Sequence, residues 1–167
     1  MSRADVSPAD TERAVRIDLA AVRHNVGVLR ERIRRPDGSR PLLTAVVKAD
    51  AYGHGAVAVA RAAAAAGADR LGVAHVREAL ALRAAGVRLP VLAWLHTGAT
   101  DFAAAVEAEV TLGVSGWDLD AVADAVRGLR ARGGAGPEAR AVLHLKADTG
   151  LGRHGCTPCL LYTSDAA

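Results

Sequence analysis

The sequence predicts an α/β fold built from a repeating strand–helix unit, and three observations predict it. Apolar runs of strand length start near residues 44, 70, 90, 110 and 140. Segments of helical length separate them. Several of the runs are apolar along their length rather than alternating, as strands buried on both faces of a parallel sheet are. A barrel and a doubly wound sheet both satisfy this pattern. In both, ligands bind at the carboxyl ends of the strands.

The elements follow in order. Residues 1–13 read as a polar leader. Asp18 is a good N-cap, and behind it Leu19, Val22, Val26, Leu29 and Ile33 recur at three- and four-residue steps, one apolar helical stripe. Pro36 and Gly38 end it. TAVVKA (44–49) is a strand, and its helix ends at Gly67. RLGVAHV (70–76) is a strand, followed by the helix REALALRAAG. PVLAWLH (90–96) is a strand with a helix near 101–108. VTLGVS (110–115) is a strand with a helix from Asp118 to Arg132. GGAGPEA is a loop, and RAVLHLKAD (140–148) is the fifth strand. Polar residues gather where the strands finish: Lys48, His75, His96, Ser115, Lys146 and Asp148.

Composition narrows the function classes. Hydrophobic residues make up 51% and charged residues 23% of the 167, which describes a globular chain with a core. No run approaches the roughly 18 apolar residues of a membrane span. The N-terminus has no apolar signal region, so the expected location is the cytoplasm. The net charge is +3, but the cations are nearly all arginine spread along the chain, and aromatics are 3%. Nucleic-acid binding wants a basic patch, often with stacking aromatics, so it is not expected. Cys156 and Cys159 form a lone C-x-x-C with no second pair, read as incidental rather than as a metal or redox site.

The chemistry concentrates in VVKADAYGHG. A lysine ending a buried strand has its amine partly desolvated, which favours the neutral form that condenses with an aldehyde. Tyr52 adds a hydroxyl, and Gly53-His54-Gly55 lets backbone come close to a ligand. A helix N-terminus following the turn would favour an anion. An aldehyde beside a phosphate describes pyridoxal phosphate. A competing pattern is present too. Gly53 to Ala58 fits G-x-G-x-x-A after a strand, with Glu78 where a ribose-binding acid could lie, the fingerprint of a dinucleotide site.

VVKADAYGHG closely resembles the cofactor-attachment signature of the alanine racemases. RLGVAHVREALALRAAG, PVLAWL and LHLKADTGLGRHG resemble later strands and loops of that family, over residues 15–157. The resemblance implies a partial (β/α)8 TIM barrel over 14–158, about five of eight strands, without the family's C-terminal β domain. It implies that Lys48 carries pyridoxal 5'-phosphate as an internal aldimine and serves as the base for the D-enantiomer. Tyr52 would hydrogen-bond the cofactor phosphate. Arg153 would lie beside the cofactor's phenolic oxygen and bind the substrate carboxylate. Trp94 would line the cofactor pocket, and Lys146 matches a lysine that is carbamylated in many members, where it orients the arginine. His54 is read as a structural part of the turn, and no metal is implied.

The substrate implied is alanine, and the full-length parent is implied to be a homodimer supplying D-alanine for peptidoglycan. The family's second base is a tyrosine from the C-terminal domain, and Tyr162 is not read as its substitute. A closed barrel needs about 250 residues, so the sequence is expected to be the front part of something longer and inactive alone. Residues 159–167 lie beyond the quoted motifs and are expected to be a translated adapter remnant. Two other readings stay open: a non-catalytic, pyridoxal-phosphate-binding half-barrel, and the front of a serine or broad-specificity racemase.

Overall fold

The computed structural model describes residues 14–132 and 138–157. The readings of the leader 1–13 and of 159–167, with Cys159 and Tyr162, lie outside the described residues.

Helix α1 (Leu19–Arg32) starts where Asp18 Oδ1 accepts from the N–H groups of Ala20 at 2.8 Å and Ala21 at 3.2 Å. Two orphan donors of the first turn are thereby satisfied. The expected apolar stripe is only partly used. Val26 is buried against Ala63 and Ala68, whereas Leu29 remains exposed.

Five strands follow: β1 (Thr44–Val46), β2 (Arg70–Val73), β3 (Val91–Ala93), β4 (Val110–Val114) and β5 (Leu143–Leu145). All four pairings are parallel, and the spatial order is β1-β2-β3-β4-β5. Each connection therefore steps one strand in the same direction. A doubly wound sheet reverses its strand order at a switch point, and this one never does. The sheet is a partial α/β barrel. The helical elements between the strands are α2 (Lys48–Gly53), α3 (Ala56–Ala65), α4 (Val76–Ala84), α5 (Phe102–Glu107) and α6 (Gly116–Arg132).

Alternation sorts the strand residues into two layers. Leu71, Val73, Val91, Ala93, Val110, Leu112 and Val114 form the core with Ala79, Leu82, Phe102 and Ala105 of the helices. Each large aliphatic side chain taken from water there stabilises by about 1.5–3 kcal/mol. The opposite, inner layer is Thr44, Val46, Gly72, Leu92, Trp94, Thr111 and Gly113, and it is less closed. The expectation of strands buried on both faces is thus corrected for the sheet's edges. β5 is exposed throughout, and Val46 of β1 is 41% exposed. Each of these strands pairs on one side only.

The strands are also shorter than the apolar runs suggest. After Val46, Val73, Ala93 and Leu145 the chain leaves the ladder. Because all strands are parallel, the residues that leave it share one end of the sheet. Lys48, His75, His96, Ser115, Lys146 and Asp148 all belong to that end.

Candidate active site

The segment after β1 is not an ordinary helix. Ala49, Asp50, Ala51 and Tyr52 have φ of 51°, 54°, 54° and 56° with ψ of 39–50°. They make one left-handed turn of L-residues, at a cost of roughly 1–2 kcal/mol per residue. Such strain persists only where surrounding bonds over-determine it, and it clusters at functional sites.

The bonds that hold it are identifiable. Ala51 N–H donates to Val47 O at 2.9 Å, closing the turn. Ala49 N–H donates to Glu78 Oε1 at 2.7 Å. The other oxygen of Glu78 accepts from Ala74 N–H and His75 N–H, both at 2.9 Å. Asp50 Oδ1 accepts from Ala56 N–H at 2.7 Å. His54 Nδ1 lies 2.8 Å from Ala51 O. A carbonyl only accepts, so Nδ1 carries the proton and His54 is part of the turn's frame.

Two expectations are corrected by these bonds. Asp50 already places a carboxylate on the first N–H of α3, so that helix start is not an anion site. Glu78 is committed to three backbone donors and is no ribose ligand. With the unreversed strand order, both features of the dinucleotide pattern are gone. Above Gly53 and Gly55 (φ +83° and +88°) an added Cβ would meet nothing within 4 Å, so the turn faces open space.

Lys48 is half-buried at the start of this turn. Its Nζ lies 5.9 Å from the centroid of the Tyr52 ring, a cation–π contact. The Tyr52 side chain is 61% exposed, on the open side.

Trp94, just after β3, packs against glycines of the neighbouring strands β2 and β4. A Cβ built on Gly72 would stand 2.6 Å from Trp94 Cζ3, and one on Gly113 would stand 3.0 Å from Trp94 Cβ. Gly72 is the recess that admits the indole, and Gly113 gives room to the Cβ that carries it. Lys146 Nζ donates to Trp94 O at 2.7 Å, tying β5 to β3. Burial lowers the Lys146 pKa, Asp118 opposes that, and Arg153 adds to it.

Arg153 sits exposed on the loop after β5. Asp148 Oδ1 accepts from Gly150 N–H at 2.9 Å and Gly152 N–H at 3.1 Å, folding that loop. The loop then returns to the sheet, where Cys156 N–H donates to Lys146 O at 2.7 Å. A Cβ on Gly155 would stand 2.6 Å from Asp148 N, so only glycine fits this crossing.

The structure thus joins Lys48 to Tyr52, and Lys146 to Trp94. Among the described residues no hydrogen bond joins the first pair to the second or to Arg153. Sequence reasoning missed the supporting carboxylates Asp50, Glu78 and Asp118. Glu78 had a signal, since His75-x-x-Glu78 before an apolar helix is capping-box spacing. A composition signal was missed as well: the chain has only two lysines, Lys48 and Lys146. Both follow strands at the carboxyl end of the sheet, on its two opposite edge strands, and arginine has the cationic positions elsewhere.

A family model described as "Alanine racemase, N-terminal domain" matches residues 17–164. The alanine racemase of Mycobacterium ulcerans is 51% identical over 145 residues, covering 86% of this chain and 34% of that protein. The crystal structure of alanine racemase from D-cycloserine-producing Streptomyces lavendulae matches with a TM-score of 0.78 and 46% identity, over 89% of this chain and 36% of that one. That of Streptomyces coelicolor A3(2) matches with a TM-score of 0.73 and 48% identity, over 85% and 35%. This chain spans about a third of the length of these relatives. No helix among the described residues is long and apolar enough to cross a membrane. The parallel strand order and these matches agree, and the chain belongs to the alanine racemase N-terminal domain family.

Proposed function

We propose that this chain carries the cofactor-binding part of an alanine racemase, interconverting L- and D-alanine with pyridoxal 5'-phosphate. The observation that carries the reading is Lys48, set at the end of β1 against a left-handed turn that two carboxylates hold in place.

The donor set fits the cofactor. Lys48 offers an amine for its aldehyde, and Tyr52 offers an exposed hydroxyl for its phosphate beside an open glycine turn. Trp94 gives a flat wall on the inner layer. Arg153 is the cation for a carboxylate or phenolate at the mouth. When bound, the cofactor's conjugated ring spreads the charge left at the alpha carbon after its proton departs.

The chain's own residues then have simple tasks. The strained turn fixes where the Lys48 amine points, which is positioning settled before substrate arrives. Lys48 takes or returns the alpha proton on one face of the substrate, the face used by the D-enantiomer. Arg153 holds the substrate carboxylate. Inversion needs a second proton carrier on the opposite face. That carrier belongs to the part of the relatives this chain does not match, across a homodimer interface. This chain alone is therefore expected to lack racemase activity. The place of the activity is the bacterial cytoplasm, as a supply of D-alanine for the cell wall.

The test is to mix the chain with pyridoxal phosphate, reduce with borohydride, and map the label. Label on Lys48 and none on Lys146, lost in Lys48→Ala, is the expected result. Label on Lys146, or on neither lysine, overturns the reading.

A further inference from the structure

Past Val46, Val73 and Ala93 the first three strands leave the ladder, and a second set of hydrogen bonds holds their ends together. The dipeptide Ala74-His75, just after β2, lies at its centre. On one side, the N–H groups of Ala74 and His75 both donate to Glu78 Oε2 at 2.9 Å, and Oε1 of the same carboxylate accepts from Ala49 N–H at 2.7 Å. On the other side, Ala74 O accepts from Trp94 N–H at 3.2 Å and from Leu95 N–H at 2.7 Å. His75 Nδ1 lies 3.2 Å from Leu95 O, and because a carbonyl only accepts, the ring nitrogen donates.

Glu78 is more than the cap of α4. Capping needs only the bond from His75 N–H. The capping carboxylates Asp18 and Asp101 bond within three residues of themselves. Glu78 also reaches a residue 29 positions away, the neighbour of Lys48. Among the described residues no hydrogen bond joins Lys48 to Trp94 directly. Each is tied to the same dipeptide instead: the Lys48 turn through the Glu78 carboxylate, and Trp94 through its own N–H. A left-handed turn of L-residues has no conformational preference of its own, so its placement against β2 depends on such bonds.

We propose that Glu78 is a positioning residue: by clasping the turn after Lys48 to Ala74-His75, which holds Trp94 on its other side, it sets the spacing between the Lys48 amine and the Trp94 indole. In the proposed site these two meet the cofactor's aldehyde and the flat of its ring. The clasp thus settles the width of that slot before anything enters it. The consequence rests on the proposed cofactor site, whereas the clasp itself does not.

The experiment uses the full chain in the Trp117→Phe background, where Trp94 is the sole tryptophan. Three quantities are read: hydrogen exchange at the Ala49 amide by NMR, Trp94 emission without cofactor, and the rate at which Lys48 gains borohydride-fixed pyridoxal phosphate. Glu78→Gln keeps one acceptor oxygen. Spent on the two donors Ala74 and His75, it leaves the amide NH2 facing Ala49 N–H, donor against donor. The expected result is faster exchange at Ala49 and capture at Lys48 slowed about tenfold or more, with Trp94 emission unmoved. Glu78→Ala frees both sides and is expected to shift the emission to longer wavelength as well. Arg83→Met is the control for a general loosening of α4, since Arg83 serves the carbonyls of Val87, Leu89, Ala108 and Glu109 at the other end of that helix. It should lower the melting temperature and change none of the three quantities. Unslowed capture or unmoved emission in Glu78→Ala overturns the proposal, and so does equal slowing in Arg83→Met. Should Glu78→Ala fail to fold, Glu78→Gln decides alone, and unslowed capture there overturns it. A parent chain that takes no label on Lys48 sinks the proposed reaction instead. The clasp is then decided without cofactor, and unchanged Ala49 exchange and Trp94 emission in Glu78→Ala overturn it.

Discussion

Glu78 Oε1 accepts a hydrogen bond from the backbone N–H of Ala49 across 29 residues of chain. One carboxylate thereby fastens helix α4 to the residue that follows Lys48. Its second oxygen is spent on the N–H groups of Ala74 and His75, so it fixes both ends of the crossing.

Removing this carboxylate leaves three backbone donors short of a partner. Glu78→Ala is expected to cost about 3 kcal/mol and Glu78→Gln less, because one acceptor oxygen survives. Burial raises the Glu78 pKa, but the bonds from His75, Ala49 and Ala74 together outweigh it and hold it below the usual glutamate value. The unfolded chain therefore binds this proton first. The stability is present above the unfolded pKa and lost as pH falls through the folded one. Thermal melts between pH 7 and pH 3 should show an acid-sensitive component that Glu78→Ala lacks. An acid limb identical in the two proteins would refute this role.

The recess around Trp94 leaves no room on β2. Gly72→Ala puts a methyl 2.6 Å from the indole, so the ring must move. The expected cost is about 1–3 kcal/mol, as for other overpacked sites. Trp117 is exposed, and Trp117→Phe leaves Trp94 as sole fluorescent tryptophan. In that background Gly72→Ala should shift the emission to longer wavelength, whereas Gly27→Ala, at ordinary φ and in open space, should not. Unchanged emission would mean that the indole does not rest on Gly72.

His96 is buried, which disfavours its charged form. Burial is the main cause of its lowered pKa; Asp118 opposes that, and Lys146 adds to it. The folded pKa lies below the ordinary 6.5, so the unfolded chain takes the proton first as pH falls. Stability is thus full above about pH 6.5 and declines below it until the folded pKa is passed. His96→Leu removes both unpartnered nitrogens and fits beside Phe102, whose ring centroid lies 5.3 Å away. Melts at pH 7 and pH 5.5 should differ less in His96→Leu than in the parent. A difference as large as the parent's would show that His96 does not carry this dependence.

Parts of this structure are legible from local sequence and parts are not. The start of α1 is written in Asp18 and the spacing behind it, because a cap acts within three residues. Lys48 and Tyr52 announce themselves by chemistry and by the glycines after them. The choice between barrel and doubly wound sheet is not local, since it depends on which strand each new strand lies beside. The handedness of α2 is hidden for a sharper reason. Nothing in Ala49-Asp50-Ala51-Tyr52 prefers positive φ, where glycine or asparagine would. The turn is imposed from outside by Glu78, and by Asp50 reaching forward to Ala56. The exposure of β5 was likewise unreadable, because an apolar run is the same in sequence whether one neighbour or two lie beside it.

The left-handed turn also bears on the order of folding. Four L-residues wound against their preferred hand have no tendency to form alone. Their partners are a carboxylate on α4 and the first amide of α3, both of which must already be in place. The β2–α4 unit is thus expected to consolidate first, and Lys48 to take its final direction only afterwards. A chain caught early would have most of its sheet and a lysine still free to point anywhere.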